Sequence, residues 1–493
     1  MWHVYAYARC WDNNSPLHSE KEAKTCTLGI DFGSYKSKIT LAYMNTIGGQ
    51  RRIEIQRVPF DGGFDDPDRA DTSTDPNSWL EFVAFAALEN GQLVLGRRSL
   101  SHDCTLPLKT IFIHRAGITR QSTIKRLPGG VDLLEHCRAG TITPKMEAEA
   151  LRKHFELLHR MATNTAKEVL GSVITKVVLS YPNYLCPKEQ EDDFVKYTSY
   201  YKKLLRPIWG KEVSFNIISE GQAAALYVSE PFKDLQVGFK RDRLWRNLKE
   251  GMGKKSGLSL LIPDGGSSSL NIQMQSVFFN EAGELESSQS ISASDWLTGT
   301  LCGSFKILEE LRSYQFPPGE IAALLNDFER RKRQLDWTTT EAIDLHGTRS
   351  GCIVSILPKT LQTAFNAAFG DGLAMLEREV WRVLGLGQDF AVILCGGSYF
   401  CKGLRNLVEK ILTEVEKEAE TRGIRVKHLY LGEYDIFSSS AVSAGAALSV
   451  MRVPCPVDVF DGSAIAVHKL WKSSSSAAWE GEDEATFLFS KVG

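Results

Sequence analysis

Two stretches of this chain follow one pattern: an apolar run reaches Asp and Gly, small hydroxyl residues follow, and a second apolar run returns. The first is Leu28-Gly29-Ile30-Asp31-Phe32-Gly33-Ser34, continuing through Tyr35-Lys36-Ser37 into KITLAYM. The second is Leu260-Leu261-Ile262-Pro263-Asp264-Gly265-Gly266-Ser267-Ser268-Ser269, continuing through Leu270-Asn271-Ile272. Each predicts a strand, a tight turn and a returning strand. Backbone N–H groups at such a turn can converge on an anion, and the aspartate is placed to hold a hydrated cation. Alone, either is an ordinary hairpin corner. A third unit, Ala391-Val392-Ile393-Leu394-Cys395-Gly396-Gly397-Ser398, is a buried strand ending in Gly-Gly before Lys402-Gly403-Leu404 opens a helix. Missing side chains there let a flat ring approach the backbone.

The rest of the chain alternates strand and helix signals, which predicts α/β layers. EFVAFAALENGQLVLG reads as a hairpin about Glu89-Asn90-Gly91. Thr143 to Leu170 carries apolar residues at helical spacing. TKVVLSYPNYL reads as a buried strand stopped by Pro182. Residues 320–336 and 360–384 have helical composition, and a helix follows the AVILCGG strand. Residues 61–78 are acidic and rich in turn formers, so they read as a surface loop. Residues 231–256 are basic. Residues 1–24 are patternless, and 456–493 end in a Ser-rich acidic stretch, so both ends read as tails.

The three units, in this order, resemble the phosphate-one, phosphate-two and adenosine motifs of the actin and heat-shock ATPase superfamily. Intervening segments resemble the seventy-kilodalton heat-shock branch. Ser180-Tyr181-Pro182-Asn183-Tyr184-Leu185 is similar to its Val-Pro-Ala-Tyr-Phe strand, and Ile218-Ser219-Glu220-Gly221-Gln222-Ala223-Ala224-Ala225 to its Ile-Asn-Glu-Pro-Thr-Ala-Ala-Ala helix start. Glu329-Arg330-Arg331-Lys332-Arg333-Gln334-Leu335 resembles the adenine-side helix, and Ser440-Ala441-Val442-Ser443-Ala444-Gly445-Ala446-Ala447 the returning helix. Gly299-Thr300-Leu301-Cys302-Gly303-Ser304 resembles an element of the divergent heat-shock-like ATPases of filamentous fungi and animals.

The resemblance covers about residues 25–450. It implies a two-lobed actin-like, ribonuclease H-like ATPase domain with a nucleotide cleft between the lobes. Lobe I would span 25–235, completed by 437–455, and lobe II 256–436. It further implies ATP or ADP with Mg²⁺ as ligands. Asp31, Glu220 and Asp264 would hold the metal through water, with Asp264 orienting the attacking water. Gly33, Gly265, Gly266, Gly396 and Gly397 would allow close backbone approach to the nucleotide, with Ser398 beside them. Ser34 and Ser269 would stand beside the phosphates, and Asn271 near the metal. Glu329, Lys332 and Arg333 would hold the ribose and adenine, and Phe400 would stack on the base. For the lysine of lobe I the candidate is Lys109, although in LPLKTIFIHRAG it reads more simply as a surface lysine.

Departures from the family pattern set a second expectation. Ser267 and Ser268 replace glycines, so a left-handed backbone there would be strained. Asn271 replaces an aspartate and removes one charge. A pseudo-ATPase that serves as an interaction scaffold is therefore the alternative to a slow ATPase. A sugar or acetate kinase of the same superfamily fits less well, because Glu220 and the 329–333 helix follow the chaperone pattern. After the returning helix some 40 residues follow, too few for the family's peptide-binding domain, so no client-holding activity is expected.

Composition narrows the classes. A net charge of −2, with 58 Lys and Arg against 60 Asp and Glu, offers no footprint for nucleic acid or an anionic membrane. Ten cysteines without CxxC pairs speak against a zinc site and a disulfide framework. With no signal peptide and no long apolar run, a cytoplasmic protein is expected; the resemblance implies an adenine nucleotide as its ligand, and the scaffold alternative implies a protein partner.

Overall fold

The structure is a computed structural model. It describes residues 24–47, 50–59, 82–102, 105–118, 121–185, 187–229, 233–234, 241–252, 257–279, 285–290, 298–301, 307, 310–311, 316–317, 319–331, 335, 341–348, 351–435 and 438–451. The 61–78 loop, nearly all of the 1–24 segment and the 456–493 segment lie outside the described residues.

The chain is a mixed α/β protein with several sheets. In order, its strands are β1 Lys24–Phe32, β2 Lys36–Ile47, β3 Gln50–Arg57, β4 Phe82–Val83, β5 Phe85–Glu89, β6 Gln92–Leu95, β7 Leu106–Pro107, β8 Ser172–Tyr181, β9 Ser214–Ser219 and β10 Lys233–Asp234. Then come β11 Gly257–Gly265, β12 Ser269–Phe279, β13 Leu285–Ser290, β14 Thr298–Leu301, β15 Ile343–His346, β16 Ile353–Ile356, β17 Phe390–Leu394 and β18 Val426–Tyr430. The two large sheets share a five-strand plan, to which the first adds β10 beside β3. The first runs β10-β3-β2-β1-β8-β9 and the second β13-β12-β11-β17-β18. In each, the first strand pairs antiparallel with the second and parallel with a later strand. In each, a short extra strand, β4 or β14, pairs with the second strand near the turn.

Local sequence explains the elements directly. Pro144–Leu170 is a helix whose N-cap Thr143 accepts from the Met146 N–H, with Pro144 in its first turn. It ends at Gly171, which adopts φ 56°. β5 and β6 form the expected hairpin, and both corner residues, Asn90 and Gly91, adopt positive φ. β8 stops at Tyr181, immediately before Pro182.

Between the two sheets lie two helices, Glu220–Ser229 and Ala441–Leu448. Their Ala and Val side chains share one core with Ala42 and Val178 of the first sheet and Ile262 and Ile393 of the second. The helices cross closely: a Cβ on Gly445 would fall 1.6 Å from the Ala223 carbonyl oxygen. Only glycine fits that crossing. Thr40 Oγ1 and Ser443 Oγ, 2.8 Å apart, pin the later helix to β2. A buried Arg57 reaches from β3 to the Tyr227 hydroxyl at 2.6 Å and to Asp435 at 3.7 Å. Tyr227 also donates to Asp435. This polar link stands between apolar layers with its charges paired, as burial demands.

Candidate functional site

The site begins where the β1–β2 turn faces the β11–β12 turn. Ser34 and Ser268 touch through their hydroxyls at 2.6 Å. The sequence pattern singled out Ser34 and Ser269 for this place, and the structure brings Ser268 instead to Ser34. Neither Ser267 nor Ser268 has a positive φ, so replacing glycine there costs no backbone strain. The third unit is tied to the second. Cys395 N donates to the Pro263 carbonyl at 2.9 Å, Gly265 N to the Cys395 carbonyl at 2.8 Å, and Ser398 Oγ to the Gly266 carbonyl at 2.6 Å.

The glycines of these turns divide by what surrounds them. Gly396 adopts φ 96°, and a Cβ there would fall 2.6 Å from Asp264 Oδ1 and 2.5 Å from the Gly265 carbonyl oxygen. Its missing side chain serves the protein's own packing. Gly265 is likewise covered, by the Tyr399 ring, and Gly33 by the Lys36 carbonyl. At Gly397 an added Cβ would meet nothing within 4 Å among the described residues. Gly397 is thus the solvent-exposed glycine of the pair. The half-buried Phe400 turns a ring edge toward Gly432, within 2.9 Å of where a Cβ would stand. The Glu329 side chain, Lys332 and Arg333 lie outside the described residues.

Glu220 opens its helix at the C-terminal end of β9. One carboxylate oxygen accepts from Lys109 Nζ at 2.6 Å. The other accepts from Asn271 Nδ2 at 2.8 Å and Ser269 Oγ at 3.3 Å. Lys109 corrects the sequence expectation: it is 2% exposed rather than a surface lysine. It sits in the first turn of the helix Leu108–Arg115, placed there by β7, and its charge is neutralised by Glu220. Asn271 is fully buried with both ends of its amide used. Its Oδ1 accepts from the Asn183 N–H at 2.9 Å, and Asn183 Oδ1 accepts from the Gly221 N–H at 3.1 Å. The two sheets are thus joined through Asn183 and Asn271 beside Glu220.

Asp31 and Glu220 are close enough to act electrostatically on Asp264. Burial, with the charges of Glu220 and Asp31, pushes the Asp264 carboxyl well above the usual carboxylate range. Lys38 and the Asn271 amide oppose this only in part. Lys38 stands opposite Asp31 in the β1–β2 register and donates to the Ser439 carbonyl at 2.7 Å. Tyr184 and Tyr197, buried within reach of the Glu220 charge, are held protonated by burial first and that charge second. Their hydroxyls make no hydrogen bond among the described residues. Behind the first turn, Ser37 Oγ meets His154 Nε2 at 2.9 Å, and burial holds His154 at about 4, so the ring is neutral.

Sequence reasoning missed Lys38 and Asn183 as parts of this site. Lys38 carried a signal, since it alternates onto the same strand face as Lys36. Asn183 carried none beyond its place after Pro182.

In comparisons with known proteins, no family model matches the chain and no curated protein matches it. Among the described residues, no helix is long and apolar enough to cross a membrane.

Proposed function

We propose that this chain is a two-lobed, actin-like adenine-nucleotide-binding domain with slow ATP hydrolysis, each large sheet forming the centre of one lobe. The observation that carries the reading is the meeting of three distant turns: Ser34 touches Ser268, Ser398 donates to the Gly266 carbonyl, and the charges of Glu220 and Asp31 act on the buried Asp264. The shared topology of the two sheets supports it. The donor set suits a hydrated divalent cation. Burial first, and the charges of Glu220 and Asp31 second, make Asp264 hold its proton firmly, and a cation relieves the part of that cost owed to the two acids. Asp31, Glu220 and Asp264 would hold Mg²⁺ through water, and the ion would supply charge neutralisation for the phosphates. Ser34, Ser268 and the backbone of both turns would face the phosphates. The open side of Gly397 would take the nucleoside.

A pseudo-ATPase scaffold is the second reading, and one observation favours it. Both oxygens of Glu220 are already committed to Lys109, Asn271 and Ser269. A carboxylate so engaged is slow to release for metal-bound water.

Thermal melts with Mg-ATP, Mg-ADP and no nucleotide test the reading. A ligand that binds only the native state at 100 times its Kd stabilises by about 2.7 kcal/mol. Gly397→Glu is the informative variant, because its backbone is unstrained and its side chain enters open space. We expect an ATP-dependent rise in Tm in the natural protein and its loss in Gly397→Glu. No shift in the natural protein, or an unchanged shift in the variant, overturns the site. Single-turnover hydrolysis of labelled ATP then separates the two readings, since binding without turnover favours the scaffold.

A further inference from the structure

We propose that His114, Cys137 and Glu147 form a binding site for one divalent transition-metal ion of the zinc type, apart from the carboxylate cluster. These residues come from three helices, Leu108–Arg115, Gly130–Arg138 and Pro144–Leu170. One potential ligand atom from each lies within 4.8 Å of the other two. His114 Nδ1 and Glu147 Oε1 already meet at 2.6 Å.

The donor set is imidazole nitrogen, thiolate sulfur and carboxylate oxygen. Zinc accepts all three, whereas magnesium and calcium take oxygen almost exclusively. Ordinary zinc bond lengths in a tetrahedron place the ligand atoms about 3.3–3.6 Å apart. His114 and Glu147 would therefore open by somewhat under about 1 Å, and the Cys137 sulfur would close by up to about 1.5 Å. Side-chain rotation within staggered wells covers such distances.

Two further features favour a cation here. His114 and Cys137 both lie in the last turns of their helices, so two helix C-termini, each bearing partial negative charge, converge on the cluster. His114 and Cys137 are only partly buried, while Glu147 is 1% exposed. A solvent ion can thus reach an anchored carboxylate, and a fourth position stays open to water or an outside ligand. Opposing a cation are the positive N-terminal end of the helix Pro144–Leu170, whose first turn carries Glu147, and Arg115, whose Nε stands 4.0 Å from Glu147 Oε2. Arg115 addresses the other oxygen, not the one that meets His114. With Zn²⁺ bound, the Cys137 thiol loses its proton to solvent, and thiolate plus carboxylate balance the ion, leaving Arg115 as it was. Occupancy should therefore rise with pH.

The full-length protein, stripped with a chelator, is titrated with Co²⁺ and, separately, with Zn²⁺ against a chromophoric competitor. We expect one equivalent of cobalt with a thiolate-to-metal charge-transfer band that Zn²⁺ abolishes. Cys137→Ser should lose the band. His114→Gln keeps a donor for Glu147 and so tests ligation apart from folding; it should weaken Zn²⁺ at least about 10-fold, the scale that even outer-shell changes reach. Circular-dichroism melts of both variants establish that they are folded. No charge-transfer band in the natural protein overturns the proposal. A band that persists in Cys137→Ser assigns the metal to another cysteine and overturns it equally.

Discussion

The two turns that meet at the candidate site share a backbone plan and differ in charge. In the first, Asp31 lies opposite Lys38 across the β1–β2 pair; in the second, Asp264 lies opposite Asn271 across β11–β12. The same side of the molecule that brings Lys38 also brings Lys109, which neutralises Glu220. The second turn brings an acid and an amide. Asp31 is half-buried and Asp264 buried, so the acid with the weaker local compensation also has the less water. That combination raises the Asp264 pKa. Similar hairpins can thus build an asymmetric site, one half supplying cations and the other a carboxyl poised to lose or keep a proton.

The largest test removes a cation from the first half. Lys109→Met leaves Glu220 buried beside Asp264 and Asp31 without its counter-charge. Breaking one partner of a buried pair costs roughly 3–5 kcal/mol, so chemical denaturation should show a loss of that order at neutral pH. A loss below about 1 kcal/mol, the range of exposed pairs, would mean that Lys109 and Glu220 are solvated in solution.

Asn271→Asp makes the second turn more acidic. The amide that donates to Glu220 Oε2 at 2.8 Å becomes a third buried carboxyl against two others. We expect the magnesium-free protein to lose about 2 kcal/mol, the cost of an unsatisfied and charged neighbour. Magnesium should restore more of the Tm in the variant than in the natural protein, and ATP turnover should depend on it more steeply. Equal magnesium responses would separate Asn271 from any metal.

Asp264→Asn relieves the asymmetry. A carboxyl whose folded pKa is raised stays protonated in the native state after the unfolded chain has released its proton. Its contribution to stability therefore falls as pH rises from the ordinary carboxylate range toward the raised value. The amide cannot titrate, so the variant should melt about as the natural protein does near pH 4 and become the more stable one as pH rises. It should also lose any magnesium-dependent ATP stabilisation. A natural protein whose stability grows over that pH interval, relative to the variant, would mean that Asp264 is ionised and compensated.

The smallest effect belongs to Lys38→Met. Lys38 is half-buried and opposes only part of the rise at Asp264, so we expect a loss of about 1 kcal/mol. The stability difference between Asp264→Asn and its parent should widen in this background. Additivity of the two substitutions would show that Lys38 and Asp264 do not interact.

Much of the framework was legible in the sequence because its causes are local. The Asn90-Gly91 corner, the Thr143-Pro144 start and Gly171 stop of the long helix, and the strand break at Pro182 each depend on neighbours a few residues away. The strand–Asp–Gly turns were legible for the same reason. The electrostatics of the site were not. Lys109 and Glu220 are 111 residues apart, and Ser34 and Ser268 are 234 apart. No spacing rule reaches that far. A lysine in LPLKTIFIHRAG looks solvated until β7 and the Glu220 helix are placed against it. The sequence likewise argued against a metal cluster, since its cysteines have no paired spacing, yet three helix ends bring His114, Cys137 and Glu147 together.

What the sequence determined by itself was where the chain turns and which residues stand at the turns, since backbone sterics and capping act between near neighbours. Tertiary structure alone decided which turn meets which and which charges are compensated. It also decided which glycine is open, Gly397 rather than Gly396. Those outcomes depend on burial and on contacts between distant segments, and a buried charge takes its pKa from whatever the fold sets beside it.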